Sequence, residues 1–95
     1  MFSIVIKPTV RLRLNEAYWW YEEQLPGLGE RFLEEIDGAF EKLKLTPHSY
    51  SFLQENYRHL ILKHFPYKVI FEIISNEVVI YALFHTGRNP ETSFD

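Results

Sequence analysis

A chain of 95 residues that is 46% hydrophobic and 17% aromatic can build one core and no second, which excludes a multidomain protein and an intrinsically disordered one. The absence of cysteine excludes a disulfide framework and a thiolate metal site, and no run approaches the ~20 apolar residues that span a bilayer. A net charge of -3 is the wrong sign for holding nucleic acid by bulk electrostatics. The charge is uneven, however: residues 9–46 carry eight acidic side chains against five basic ones, while the remainder is balanced at five against five and holds all four histidines.

The start, Met1 to Pro8, has no basic region and only a short apolar stretch, so a cytoplasmic chain is expected rather than an exported or membrane-embedded one. Phe2, Ile4 and Ile6 alternate with Ser3, Val5 and Lys7, predicting a first strand that Pro8 stops. Thr9 can cap a helix in which Val10, Leu14, Ala17 or Tyr18, and Tyr21 recur at helical spacing up to Glu23. Pro26-Gly27-Leu28-Gly29 breaks it, and Phe32, Ile36, Ala39, Phe40 and Leu43 define a second amphipathic helix ending at Thr46-Pro47, so the two form an αα-hairpin. Because Pro-Gly-Leu-Gly joins two helices and lacks a following Lys-Ser/Thr pair, it is read as a turn, not a phosphate loop.

From His48 to Asn56 no period is visible and a loop is expected. The period then changes to two. Tyr57 to Leu62, Tyr67 to Ile74 and Glu77 to Phe84 are rich in branched and aromatic side chains that suit a pleated, half-buried surface. Ser75-Asn76 fits a two-residue hairpin turn, because Asn tolerates positive φ, and Lys63 to Pro66 fits a longer one. The expected fold class is α+β in the order β-α-α-β-β-β, one domain over 1–95. An antiparallel sheet packs on a helical hairpin, leaving its other face and the tail from His85 to Asp95 for function.

On this framework several stretches, read in order, resemble the RelE/ParE toxin superfamily of type II toxin–antitoxin systems, the plasmid-stabilisation toxins. They are Trp20-Tyr21-Glu22, Pro26-Gly27-Leu28-Gly29 with Phe32-Leu33-Glu34, Tyr57-Arg58, Phe65-Pro66-Tyr67 and His85-Thr86-Gly87-Arg88-Asn89-Pro90. The resemblance runs from about Ile4 to Pro90. It implies an antiparallel sheet of four or slightly more strands on a helical hairpin, and a cognate antitoxin whose C-terminal segment wraps the toxin. It also implies growth inhibition, either by mRNA cleavage in the ribosome or by poisoning DNA gyrase. A non-toxic binding module that only engages an antitoxin is the alternative from a different class.

The resemblance implies a catalytic set of Arg58, Lys68, His85 and Arg88, at positions where RNA-cleaving members of the family often place a cation or an imidazole. Their types suit in-line attack of a ribose 2′-hydroxyl: His moves protons near neutral pH, and Arg forks onto phosphate oxygens. The competing reading leaves Arg58 and Lys68 solvated on strand faces and His85 bonded to backbone at a strand end. Two features separate the chain from RNA-cleaving relatives, which are usually strongly basic and often end in a catalytic tyrosine. This chain is acidic overall and ends Thr92-Ser93-Phe94-Asp95. Trp19 and Trp20, ~100° apart on a helix, cannot both face the core, so one of them is expected on the hairpin surface, docking an antitoxin or a second copy in a homodimer. Four histidines without cysteine or a helical i, i+4 pair make a poor zinc signature, and neither metal nor cofactor is expected.

Overall fold

The computed structural model describes residues 1–87. Strand β1 (Ser3–Ile6) leads into helices α1 (Pro8–Gln24) and α2 (Leu28–Leu45), followed by a short 3-10 turn (Pro47–Ser49) and strands β2 (Phe52–Gln54), β3 (Tyr57–Ile61), β4 (Tyr67–Ile74) and β5 (Glu77–His85). Among the described residues the strands form one five-stranded sheet in the order β1-β5-β4-β3-β2.

Four local details depart from the sequence expectations. The sheet is mixed, because β1 runs parallel to β5 while the other pairs are antiparallel. A parallel neighbour needs a long crossover, and the helical hairpin and the meander together supply it. Within the segment expected to be a loop, β2 pairs with β3 through a turn at Glu55, which takes a φ of 50°. Three residues with an irregular register are too few to display alternation. Finally, Lys7 rather than Thr9 occupies the cap of α1, with no side-chain cap bond and Pro8 in the first turn. Proline costs nothing there because the first helical N–H groups have no intrahelical acceptor. In the β4–β5 turn it is Ser75, at φ 55°, that takes the left-handed conformation.

The helical hairpin is built by its turn. Gly27 adopts φ 92°, and the Glu22 carboxylate of α1 accepts hydrogen bonds from the Gly27 and Gly29 amides at 3.0 and 2.9 Å, covering the exposed N–H groups of α2. A Cβ at Gly29 would lie 2.6 Å from the Tyr18 carbonyl oxygen, so this residue sets how closely the helices approach. Phe32, Ile36, Ala39 and Leu43 of α2 and Val10, Ala17 and Tyr21 of α1 are buried at helical spacing against Leu60, Val69, Phe71, Val78, Ile80 and Leu83 of the sheet. Each large apolar side chain buried this way contributes about 1.5–3 kcal/mol. Tyr21, Phe32 and Phe65 meet ring to ring at 4.9–5.4 Å, locking the hairpin to the β3–β4 connection.

The same connection is tied down by Glu35 of α2, whose carboxylate accepts from the backbone amides of Lys63 and His64 and lies 3.0 Å from the His64 Nδ1. Burial pushes the Glu35 carboxyl upward, but the two amides and the imidazole outweigh it and hold the pKa below the ordinary glutamate value.

Candidate functional site

Strand alternation assigns each cation to a face. Arg58 shares the helix-covered side with Leu60 and with its cross-strand partner Phe71. Its Nη1 donates to the carbonyl oxygens of His48 at 3.2 Å and Tyr50 at 2.7 Å, and its guanidinium lies 3.9 Å from the centre of the Phe52 ring. Arg58 therefore pins the segment after α2 to the sheet. It is half-buried rather than a solvated strand-face cation.

Lys68 stands one residue before the buried Val69 and so points to the opposite, helix-free face, with its ammonium 5.3 Å from the Phe84 ring. On that face burial, and then the charge of Lys68, lower the pKa of His59, whose buried Nδ1 has no hydrogen-bond partner. Nearby, Lys7 lies 4.6 Å over the Tyr81 ring, and Tyr57 meets Tyr81 edge-on at 5.2 Å. Burial and the neighbouring Glu72 raise the Tyr81 phenol pKa. Ile70 and Val79, which lie outside the helix-side cluster, are buried as well.

His85 closes β5 on the helix side. Its ring sits edge-on to Tyr67 at 4.9 Å, and its Nδ1 accepts from the Gly87 amide at 3.1 Å, an arrangement that puts the proton of the neutral imidazole on Nε2. This is the backbone-bonded strand-end histidine of the competing sequence reading. The structure thus separates Arg58, Lys68 and His85 instead of gathering them around one point, and Arg88 lies outside the described residues.

What His85 does join is Trp20. The two line a cleft of about 180 Å³ whose floor is Ala17 and Leu83 and whose rim carries Arg13, Glu16 and Tyr67. Trp19 and Trp20 are 56% and 50% exposed, so neither is the core residue that one of them was expected to be. The buried positions of α1 are taken by Val10, Ala17 and Tyr21; at ~100° per residue Trp20 falls on the flank of that stripe, beside the cleft, and Trp19 on the side opposite it. They rest edge-on against Tyr18 and Tyr21, at 5.0 and 5.2 Å. Together with Leu12, which is 58% exposed, they give α1 an apolar outer surface that the core does not use. Leu12 was missed by sequence reasoning, although its spacing of seven from Trp19 repeats every two turns and was the available signal.

The described residues contain no group of three or more His, Cys, Asp or Glu arranged to hold a metal ion, and no helix among them is long and apolar enough to cross a membrane.

Among the described residues, a helical hairpin on one face of a five-stranded mixed sheet defines a small α+β protein whose α1 carries an exposed aromatic surface. A sequence model described as the ParE toxin of the type II toxin-antitoxin system parDE matches residues 4–90, and the chain belongs to that family. It is similar to Toxin ParE2 of Mycobacterium tuberculosis, in strains CDC 1551 / Oshkosh and ATCC 25618 / H37Rv. Each is 27% identical over 78 residues, which cover 81% of this chain and 74% of the relative. Its fold is that of a solved structure titled "Chromosomal ParDE TA system from P. aeruginosa", with a TM-score of 0.79 at 17% identity, covering 90% of this chain and 96% of that one.

Proposed function

We propose that this ParE-type toxin inhibits bacterial growth by docking on a protein target, DNA gyrase, and not by cleaving mRNA, and that a cognate antitoxin holds it in check. The observation that carries the reading is a contrast among the cations. A phosphate-cleaving site needs a base, an acid and cations converging on one phosphorus. Here Arg58 is spent on two backbone carbonyls, and Lys68 lies on the face away from His85. The exposed Leu12, Trp19 and Trp20 instead supply large apolar contact area of the kind that forms interface hot spots. The negative net charge suits a protein target better than a ribosomal RNA surface.

The antitoxin reading draws on the family itself and on the same α1 surface, where Trp19 or Trp20 would anchor the partner. Its test is growth. Expressed alone from an inducible promoter, the protein is expected to slow bacterial growth, and co-expression of the adjacent short gene is expected to restore it. Normal growth with soluble protein present would replace this reading with that of a non-toxic binding module.

A further inference from the structure

Opposite the α1 surface, α2 and β3 enclose a groove of about 550 Å³, within the roughly 300–1,000 Å³ typical of ligand clefts. Ala39, Leu60 and Leu62 form its apolar floor. Two independent features suggest that a chain lies in it. The first is a strand edge. β2 covers β3 only near Tyr57 and Arg58, and the last outward bond is the His59 amide to the Ser51 carbonyl. The Leu62 amide points the other way, to Tyr67 of β4, so by alternation the N–H and C=O of Ile61 face outward. Ile61 is 63% exposed, and no described residue pairs with it on that side.

The second is Gly38. It sits exposed at mid-helix in α2, where glycine weakens the helix, and among the described residues no heavy atom lies within 4 Å of the place its Cβ would occupy. Packing within the chain does not call for glycine there, and the vacant space opens into the groove.

We propose that the groove seats an extended, acid-bearing segment of the partner, which pairs with Ile61 in line with β2 and sends one apolar side chain into the space over Gly38. Charge selects the occupant. Arg31, Lys42 and Lys63 line the groove against Glu34 and Glu35, and the Glu35 carboxylate is already taken by the Lys63 and His64 amides. The groove is a net cationic strip on an acidic protein, which disfavours a second copy and favours carboxylates. Strand addition supplies backbone hydrogen bonds, and alternate side chains then face α2. This inference rests on the antitoxin reading and specifies a second contact, on the far side of the hairpin from Trp19 and Trp20.

The experiment is calorimetric titration of the full-length toxin with the protein encoded by the adjacent short reading frame, alongside thermal melting and sedimentation of the toxin alone. Gly38→Leu is expected to melt at the same temperature or higher, because it removes a helix-interior glycine, and to bind at least tenfold more weakly. Lys42→Glu should lose several-fold in affinity, with the loss shrinking as salt rises. Wild-type affinity in Gly38→Leu overturns the groove and leaves the antitoxin reading standing. No binding by the wild type overturns both. A dimeric toxin that Gly38→Leu turns into a monomer assigns the groove to a second copy and overturns the peptide assignment.

Discussion

Arg58 and His85 lie on the same, helix-covered side of the sheet, both half-buried and both beside aromatic rings, yet they stand in different relations to the fold. Arg58 is consumed by it: two carbonyls from the segment after α2 converge on one guanidinium nitrogen. His85 borders a cleft shared with Trp20, on the flank of a helix whose outer surface the core leaves bare. A cation at a family position can thus hold the scaffold while an ordinary strand-end histidine borders an open cleft. Residue type separates the two poorly; what each side chain touches separates them well.

The largest effect is expected from perturbing the scaffold side. Gly29→Ala would drive a Cβ against the Tyr18 carbonyl and force the helices apart, with an expected loss of about 3 kcal/mol in chemical denaturation. A loss below about 1 kcal/mol would mean that the hairpin is looser than described.

Next comes Arg58→Ala, which removes two charge-assisted bonds and should cost about 2 kcal/mol. Arg58→Lys should recover only part of this, since an ammonium lacks the planar guanidinium that lies against the Phe52 ring. Unchanged stability in Arg58→Ala would return this arginine to the pool of functional candidates.

On the other side, Trp20→Ala should lower stability by under about 1 kcal/mol while weakening antitoxin binding by about 2 kcal/mol or more, measured by melting and calorimetry on one preparation. The reverse pattern would make Trp20 scaffold.

The smallest effect is one of pH. Because the folded Glu35 pKa is depressed, its bonds to the β3–β4 connection stabilise the protein above the unfolded carboxylate value of about 4.3, and that contribution fades as pH falls through the lower folded value. Glu35→Gln should flatten this part of the acid-unfolding curve, and an identical curve would remove Glu35 from the account.

Much of this architecture was legible because its signals are periodic. The αα-hairpin followed from the helical spacing of Phe32, Ile36, Ala39 and Leu43, and β4 from its run of branched and aromatic residues between Tyr67 and Ile74. β2 was not legible, since three residues beside a turn carry no period. The parallel pairing of β1 was hidden for another reason: strand direction is decided by the crossover, and nothing in Ser3–Ile6 encodes it.

The candidate site was less legible still. The sequence supplied Arg58, Lys68 and His85 as types, but which face each occupies depends on strand register, and the acceptors of Arg58 lie eight and ten residues away in a segment without a visible period. Helix geometry placed one of Trp19 and Trp20 on the surface and left the other for the core, whereas both are exposed. Gly38, a lone glycine inside a helical pattern, was the signal that went unused.

Docking on gyrase and phosphate chemistry on mRNA are separated by one paired assay. Purified wild type and His85→Ala are each incubated with gyrase and plasmid DNA, and in parallel with programmed ribosomes read by toeprinting. The expected result for a toxin that docks on gyrase is broken DNA with gyrase for the wild type, broken DNA persisting in His85→Ala, and intact mRNA in both. Cleaved mRNA that disappears in His85→Ala, with no effect on gyrase, would contradict it.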